Sequence, residues 1–173
     1  MGVNCFQNAC NFVIDSLPCL ESVKIGNACF SMDCEEVYGN GLLRITNCCN
    51  LLQLEIENES CANFNRLELY NLSSLQSIRC GDNCCENIRI VVLDSLPNLE
   101  SVNIGNESFY MRWTECNDGI FQITNCPNLR QLEIGDDSFY DFKSIQLSNL
   151  NSLQSIKFGD YCFFYADLSL KGE

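Results

Sequence analysis

The sequence predicts a mainly β repeat fold, a solenoid with two short parallel strands in each turn of about 24 residues. Three observations predict it. The phrase LPNLESVNIGNESF (96–109) nearly repeats the phrase LPCLESVKIGNACF (17–30), which lies 79 positions earlier. Apolar residues recur at steps of three followed by a step of two, and a second, alternating apolar segment recurs once per unit. In such an array each unit buries its apolar side only against its neighbours.

The repeated unit carries the spaced apolar residues, then Gly or Glu, then a small residue beside an aromatic residue or Cys. The first copy spans 14–30 and the fourth spans 93–109. These two copies carry about six extra residues, so the deeper period covers three units. The prediction is a slice of a longer array: one solenoid over 1–173, with triple units at about 2–80 and 81–158 and a partial unit at 159–173.

The second strand of each turn is predicted from a short alternating segment. Alternation with period two is typical of a strand with one buried face. Stacked turns would then form two parallel sheets that face each other across a narrow apolar core. The predicted inward pairs are Leu43 and Ile45, Leu67 and Leu69, Val91 and Leu93, Phe121 and Ile123, Ile145 and Leu147, and Leu168 and Leu170.

Two further columns of equivalent residues are assigned structural roles. Asn and Ser favour tight turns, where their side chains can bond to nearby backbone groups. A recurrent Gly is expected to allow a backbone bend that other residues cannot adopt. The turn column is Ser16, Asn47, Asn71, Ser95, Asn125 and Asn149, and the glycine column is Gly26, Gly81, Gly105, Gly135 and Gly159.

The core spacing resembles the leucine-rich repeat, L-x-x-L-x-L-x-x-N/C-x-L. The four leucine positions are occupied in the first turn by Leu20, Val23, Ile25 and Phe30. The asparagine position holds Ala28 instead. The recurring IG-x-x-[small]-F resembles the BspA-like class of leucine-rich repeats. This resemblance implies a leucine-rich-repeat solenoid that binds proteins, in a class with many surface-adhesion and host-contact members.

The charge balance restricts the partners. The chain has 23 acidic and 10 basic residues, a net charge of −13. We expect no nucleic-acid partner, because phosphate binding needs a basic face. No apolar run reaches membrane-spanning length, and the first residues lack the features of a signal peptide. We therefore expect no membrane insertion. The compartment stays open, since the cysteine usage favours the cytoplasm and the resemblance allows the cell surface.

The cysteines are interpreted as core residues. The chain has 14 Cys and no His. Cys exchanges with Ser, Leu and Phe in predicted core columns, where it acts as a small apolar filler. Disulfide bonding remains the alternative. Without His or a C-x-x-C spacing, the sequence predicts no metal site and no cofactor.

The sequence predicts no enzyme. The absence of His excludes Ser–His and Cys–His nucleophiles. The acidic pairs Glu35–Glu36 and Asp136–Asp137 fall in predicted loops and are interpreted as solvated charges. A glycosidase-like carboxylate pair is kept as the alternative, and no small-molecule substrate is expected.

Two surfaces are predicted to bind an unknown protein. One is a solvent-facing column, hereafter the charged column, which could equally be a self-complementary, solvated face. The other is an inserted loop rich in hot-spot residue types, which could also fold back over the core. Self-association through uncapped strand edges is the alternative function. The predicted residues are Lys24, Glu55, Arg79, Asn103, Glu133 and Lys157 in the column, and Tyr110, Met111, Arg112 and Trp113 in the loop.

Overall fold

The computed structural model describes residues 1–31, 41–62, 64–110 and 118–172. The described residues form thirteen strands and no helix, so the fold is all-β. The strands make two parallel sheets, and successive strands along the chain alternate between them. Each turn of the chain therefore contributes one strand to each sheet, which confirms the prediction of two parallel strands per turn.

The strands, numbered in chain order, pair with the equivalent strand of the next turn. The seven-stranded sheet contains β1 (Asn11–Asp15), β3 (Leu42–Thr46), β5 (Arg66–Tyr70), β7 (Ile90–Asp94), β9 (Gly119–Thr124), β11 (Phe142–Ser148) and β13 (Asp167–Lys171). The six-stranded sheet contains β2 (Ser22–Ile25), β4 (Gln53–Ile56), β6 (Ser77–Cys80), β8 (Ser101–Ile104), β10 (Gln131–Ile134) and β12 (Ser155–Phe158).

The core lies between the two sheets. Buried and accessible residues alternate along most strands, as period-two geometry requires. Five of the six predicted inward pairs, from Leu43 and Ile45 to Ile145 and Leu147, are buried, but the prediction is wrong for Leu168 and Leu170, which are 53% and 57% exposed. The outermost turns differ, since Leu17 is 49% exposed and Phe158 is 37% exposed. Their neighbours in the array cover them on one side only, so the predicted core is complete in the middle turns alone.

Stacked phenylalanine rings continue this core toward one edge. The ring centroids of Phe109 and Phe139 are 4.5 Å apart, and those of Phe139 and Phe163 are 4.8 Å apart. All three residues have left-handed φ angles, at 57°, 56° and 50°. This conformation is rare for a bulky side chain. It turns the ring into the core and redirects the chain at the same point in successive turns.

The predicted role of the glycine column is wrong. No glycine among the described residues has a positive φ, and the left-handed positions carry residues with side chains. The glycines are instead required by close contact between turns. A Cβ on Gly81 would lie 2.1 Å from Asn58 Oδ1, and one on Gly105 would lie 2.4 Å from Asp82 Oδ1. The sequence of one turn does not display this contact, because the clashing atoms belong to the turn before.

The glycines make room for a ladder of Asn and Asp side chains that the sequence analysis missed. At each rung a side-chain oxygen accepts the backbone N–H of the equivalent residue in the next turn. Glu57 occupies the glycine position of one turn, and there Asn58 makes no such bond to Asn27. The rungs join Asn58 to Asp82 (3.0 Å), Asp82 to Asn106 (2.8 Å), Asn106 to Asp136 (2.9 Å) and Asp136 to Asp160 (2.8 Å).

The Ser and Cys residues that alternate in one core column share a hydrogen-bonding role. Ser138 Oγ donates to the carbonyl oxygen of Gly105 (2.9 Å) and accepts the backbone N–H of Ser108 (3.1 Å). Cys162 Sγ makes the same type of bond to the carbonyl oxygen of Gly135 (2.8 Å). The exchange of Ser for Cys therefore preserves both a small volume and a donor to the preceding turn.

The turn column lies where the prediction placed it, directly after the strands of the seven-stranded sheet. Its members all have left-handed φ angles, and most donate their backbone N–H to the next turn. Their side chains bond to other side chains rather than to the backbone, and Asn47 Nδ2 and Asn125 Nδ2 donate to the carboxylates of Asp15 and Asp94. Asn149 Nδ2, for example, donates to Asn125 Oδ1 at 2.8 Å. This column is a second polar ladder along the stack.

Candidate functional site

The structure places the charged column on the outer face of the six-stranded sheet. Its members alternate with buried residues and stand in register on neighbouring strands. The prediction that these six side chains form one row is therefore confirmed. The row runs Lys24, Glu55, Arg79, Asn103, Glu133 and Lys157.

Much of the charge in this row is paired within the row. Lys24 Nζ lies 3.2 Å from Glu55 and 2.6 Å from Glu57, and Lys157 Nζ lies 3.3 Å from Glu133. Hydrogen bonds to Glu57 and Glu55 raise the pKa of Lys24, and the same contact lowers the pKa of Glu57. Exposed pairs of this kind contribute little to stability, because solvent screens them. This face is self-complementary, and it leaves few charges for a partner.

Arg79 is the exception in the middle of the row. Its neighbours in register are Glu55 and Asn103. It is exposed, and it makes no ion pair with another described residue. A single free guanidinium can contribute to a contact, but it does not define a binding site.

The outer face of the seven-stranded sheet holds a charge cluster that the sequence analysis missed. The Glu68 side chain is only 2% exposed. One of its oxygens accepts from Arg44 Nε (2.8 Å) and Nη2 (2.6 Å), and the other accepts from Arg66 Nη2 (2.5 Å). Because two guanidinium groups satisfy this carboxylate, the cluster fixes the sheet face and offers no vacant ligand position.

A third surface, here called the aromatic edge, consists of Tyr110, Tyr140, Phe164 and Tyr165. The first three directly follow the core phenylalanines Phe109, Phe139 and Phe163, and therefore form a column of their own. The rings of Tyr110 and Tyr140 are 5.9 Å apart, and those of Tyr140 and Phe164 are 5.2 Å apart. Tyr165 packs edge-on against Tyr140 at 5.6 Å. Phe164 and Tyr165 are 56% and 52% exposed.

A groove of about 460 Å³ runs beside the aromatic edge. Partial burial and the nearby Tyr165 raise the pKa of Tyr140, and burial raises the pKa of Asp141. Half-buried rings next to carboxylates form a surface that can stack and accept hydrogen bonds at the same point. The groove is lined by Asn83, Glu86, Glu107, Tyr110, Asp137 and Tyr140.

Of the predicted loop residues, the structure describes only Tyr110. Met111, Arg112 and Trp113 lie outside the described residues. Tyr110 does not join the charged column, since the groove it lines contains none of those six residues. Tyr140 and Phe164 were missed, although they stand in the Tyr110 column when the repeats are aligned.

The described residues offer little for catalysis. Asp136, one of the suggested carboxylates, accepts a backbone bond in the Asn/Asp ladder, and Glu35 and Glu36 lie outside the described residues. The twelve described cysteines are all free thiols. Burial raises the pKa of Cys126 to about 12 and raises the pKa of Cys85 well above its usual value. Such thiols stay protonated at neutral pH and do not act as nucleophiles.

No group of three or more His, Cys, Asp or Glu is arranged to hold a metal ion in the described part of the chain. No helix in that part is long and apolar enough to cross a membrane. Comparisons with protein-family models, with curated proteins and with solved structures find no match.

Proposed function

We propose that the protein is a non-enzymatic scaffold for protein–protein interaction, built from leucine-rich repeats of the BspA-like type. The repeat spacing supports this assignment, as does the contribution of one strand per turn to each of two parallel sheets. The aromatic edge is the observation that carries the function. Its exposed rings, Phe164 and Tyr165, are costly to leave in water, and clustered aromatic side chains are typical of interface hot spots.

The aromatic edge is a better binding surface than the charged column. Ion pairs already engage Lys24 and Lys157. A partner at that face would have to break those ion pairs or leave them in place, and in either case the charges would add little to the binding free energy. At the aromatic edge, a partner would cover Phe164 and Tyr165, which are more than half exposed.

Selection of independent binders tests this proposal. A displayed library of random peptides and small folded domains is panned against the immobilised protein. Binding surfaces with exposed rings attract unrelated ligands repeatedly, so we expect the selected binders to converge on the aromatic edge. Most should lose binding to the Tyr140→Ser/Phe164→Ser variant and keep it with Arg79→Ala. Binders scattered over the surface, insensitive to both variants, would contradict the proposal.

End-to-end self-association is the second candidate function. The edge strands β12 and β13 carry exposed apolar side chains, with Ile156 at 36%, Leu168 at 53% and Leu170 at 57%. Exposed strand edges of this kind can pair with another chain. Sedimentation velocity over a range of concentrations separates the two candidates. Stacking is supported if the mass of the parent protein rises with concentration while the Leu168→Asn/Leu170→Asn variant remains a monomer. If the parent protein is a monomer at every concentration, stacking is ruled out.

A further inference from the structure

Building on the proposed scaffold function, we propose that the aromatic edge and its groove bind an arginine-rich segment of a partner protein. Two independent features of the edge meet at this place. One is the row of half-buried and exposed rings, and the other is the pair of carboxylates Glu107 and Asp137, which form no ion pair with another described residue.

The rings are presented by the backbone rather than by loose packing. Phe109 and Phe139 take left-handed φ angles and point into the core, where they are 1% and 0% exposed. The next residues, Tyr110 and Tyr140, then point outward in register. The outer row continues through Phe164, whose ring is nearly parallel to that of Tyr140, with an interplanar angle of 14°. The row is therefore held in place before any ligand arrives, which reduces the ordering cost of binding.

The carboxylates belong to the same two turns. Glu107 and Asp137 are exposed and line the groove together with Tyr110 and Tyr140. Both have left-handed φ angles, at 51° and 55°. Neither forms an ion pair with another described residue, and no described Lys or Arg lines the groove. The fold thus places negative charge in two consecutive turns beside the rings, and no Lys or Arg in the described part of the chain pairs with Glu107 or Asp137.

Arginine is the side chain that matches both features. Its planar guanidinium stacks on tyrosine and phenylalanine rings and donates paired N–H bonds to a carboxylate. A neutral sugar could stack on the rings but would leave the carboxylate charges unmatched. A purely apolar segment would remove those charges from water without compensation, which is unfavourable. The net charge of −13 repels anionic ligands and speeds the approach of a basic segment.

A labelled peptide of alternating arginine and serine is the probe. Its binding to the full chain is measured by fluorescence anisotropy at about 0.15 M salt, where long-range attraction is largely screened. The same peptide with citrulline in place of arginine keeps the shape and removes the charge. We expect the arginine peptide to bind and the citrulline peptide to bind at least about tenfold more weakly.

Three double variants locate the contact. Tyr140→Ser/Phe164→Ser removes two rings, and Glu107→Gln/Asp137→Asn removes two charges. Each should weaken binding at least about tenfold. The matched control Glu59→Gln/Glu100→Gln removes two exposed carboxylates elsewhere, and Glu59 occupies the same column as Glu107. It should change binding less than about twofold. Circular dichroism confirms folding, and the carboxylate variant tests the site even if the ring variant is unstable.

The outcomes separate this inference from the function on which it rests. Equal weakening by the carboxylate variant and its control would show general attraction to an acidic protein and would overturn the inference. The inference would also be overturned if the arginine peptide did not bind. It would likewise be overturned if oligosaccharides from a panel bound the protein and lost binding to the Tyr140→Ser/Phe164→Ser variant. If selected peptides converge on the edge without basic residues, this inference fails and the scaffold proposal stands. If selected binders scatter, the scaffold proposal itself fails.

Discussion

Replacing Gly105 with alanine is expected to destabilise the protein, although the backbone there has an ordinary φ angle. At such a position Gly→Ala normally stabilises by about 0.4–1 kcal/mol, because it restricts the unfolded chain. Here the added Cβ would lie 2.4 Å from Asp82 Oδ1, 2.6 Å from the Gly81 carbonyl carbon and 2.7 Å from its oxygen. Two of the three atoms are backbone, so a change of rotamer cannot relieve the clash.

The structural terms outweigh the gain from the unfolded state. Favourable carbon contacts lie near 3.5–4.0 Å, so the adjacent turns must separate by roughly 1 Å. Overpacking of this kind costs about 1–3 kcal/mol. The displaced Asp82 side chain also weakens its bond to the backbone N–H of Asn106, now 2.8 Å, with a further cost of about 0.5–1.5 kcal/mol. The net expected loss is about 1–3 kcal/mol.

Thermal and urea unfolding measure this loss. For a chain of this size, about 1–3 kcal/mol corresponds to a decrease in Tm of roughly 2–12 °C. Gly172→Ala is the matched control, because a Cβ at Gly172 has no neighbouring atom within 4 Å. It should leave the Tm unchanged or slightly raised. A Gly105→Ala variant as stable as the parent would refute the account of how the turns contact each other.

Four further predictions concern other parts of the stack. Ser138→Ala leaves a buried N–H and a buried carbonyl without partners and should cost about 1–3 kcal/mol in urea unfolding, whereas Ser138→Cys should cost less; equal costs would show that only volume matters. Glu68→Gln removes the charge that two arginines share and should cost about 1–3 kcal/mol in the same assay; a neutral change would contradict the pairing. Exposed Cys49 should react with iodoacetamide in the folded protein, and buried Cys85 should react only after unfolding, because burial raises the pKa of Cys85. Mass spectrometry of labelled peptides measures both reactions, and equal rates of labelling at the two cysteines in the folded protein would contradict this prediction. Hydrogen bonds from Asn47 and Thr46 lower the pKa of Asp15 in the folded state. The contribution of Asp15 to the free energy of unfolding is therefore present above the unfolded pKa of about 3.9, and it is lost as the pH falls through the lower pKa of the folded state. Asp15→Asn should therefore reduce the loss of stability in acid, and an unchanged acid profile would argue against these bonds.

Strand positions could be predicted because each is specified by residues within one turn. Ile25 and Ile56 are apolar, flanked by polar residues and repeated in register, and both are buried in the six-stranded sheet. The same alignment placed the charged column correctly. The exposure of Leu17 could not be predicted from the sequence of its own turn, because a residue is buried only when neighbouring turns cover it on both sides.

Features made between turns were harder to predict. Gly81 and Gly105 suggested backbone flexibility, since nothing in their own turns shows the atoms of Asn58 and Asp82 that exclude a Cβ. The Asn and Asp residues after these glycines were visible as an aligned column and could have indicated the ladder.

The candidate site was also predictable only in part from the sequence. Tyr110 was selected because of its loop and its residue type. The other rings of its row become apparent when Tyr140 and Phe164 are aligned with it as successors of the core phenylalanines. Glu107 and Asp137 also share a column of the aligned repeats, but only the structure shows that their left-handed turns bring them to the same groove as the rings.

The central claim is that equivalent residues of successive turns lie side by side as paired parallel strands. Through-space NMR contacts between backbone protons test it most directly. The structure predicts contacts between backbone protons of adjacent strands around three pairs of residues that stand in register. These pairs are Leu54 and Ile78, Ile78 and Val102, and Val102 and Leu132. Helical contacts between residues three or four apart, with none between these strands, would contradict the stacked-turn architecture and the aromatic edge that depends on it.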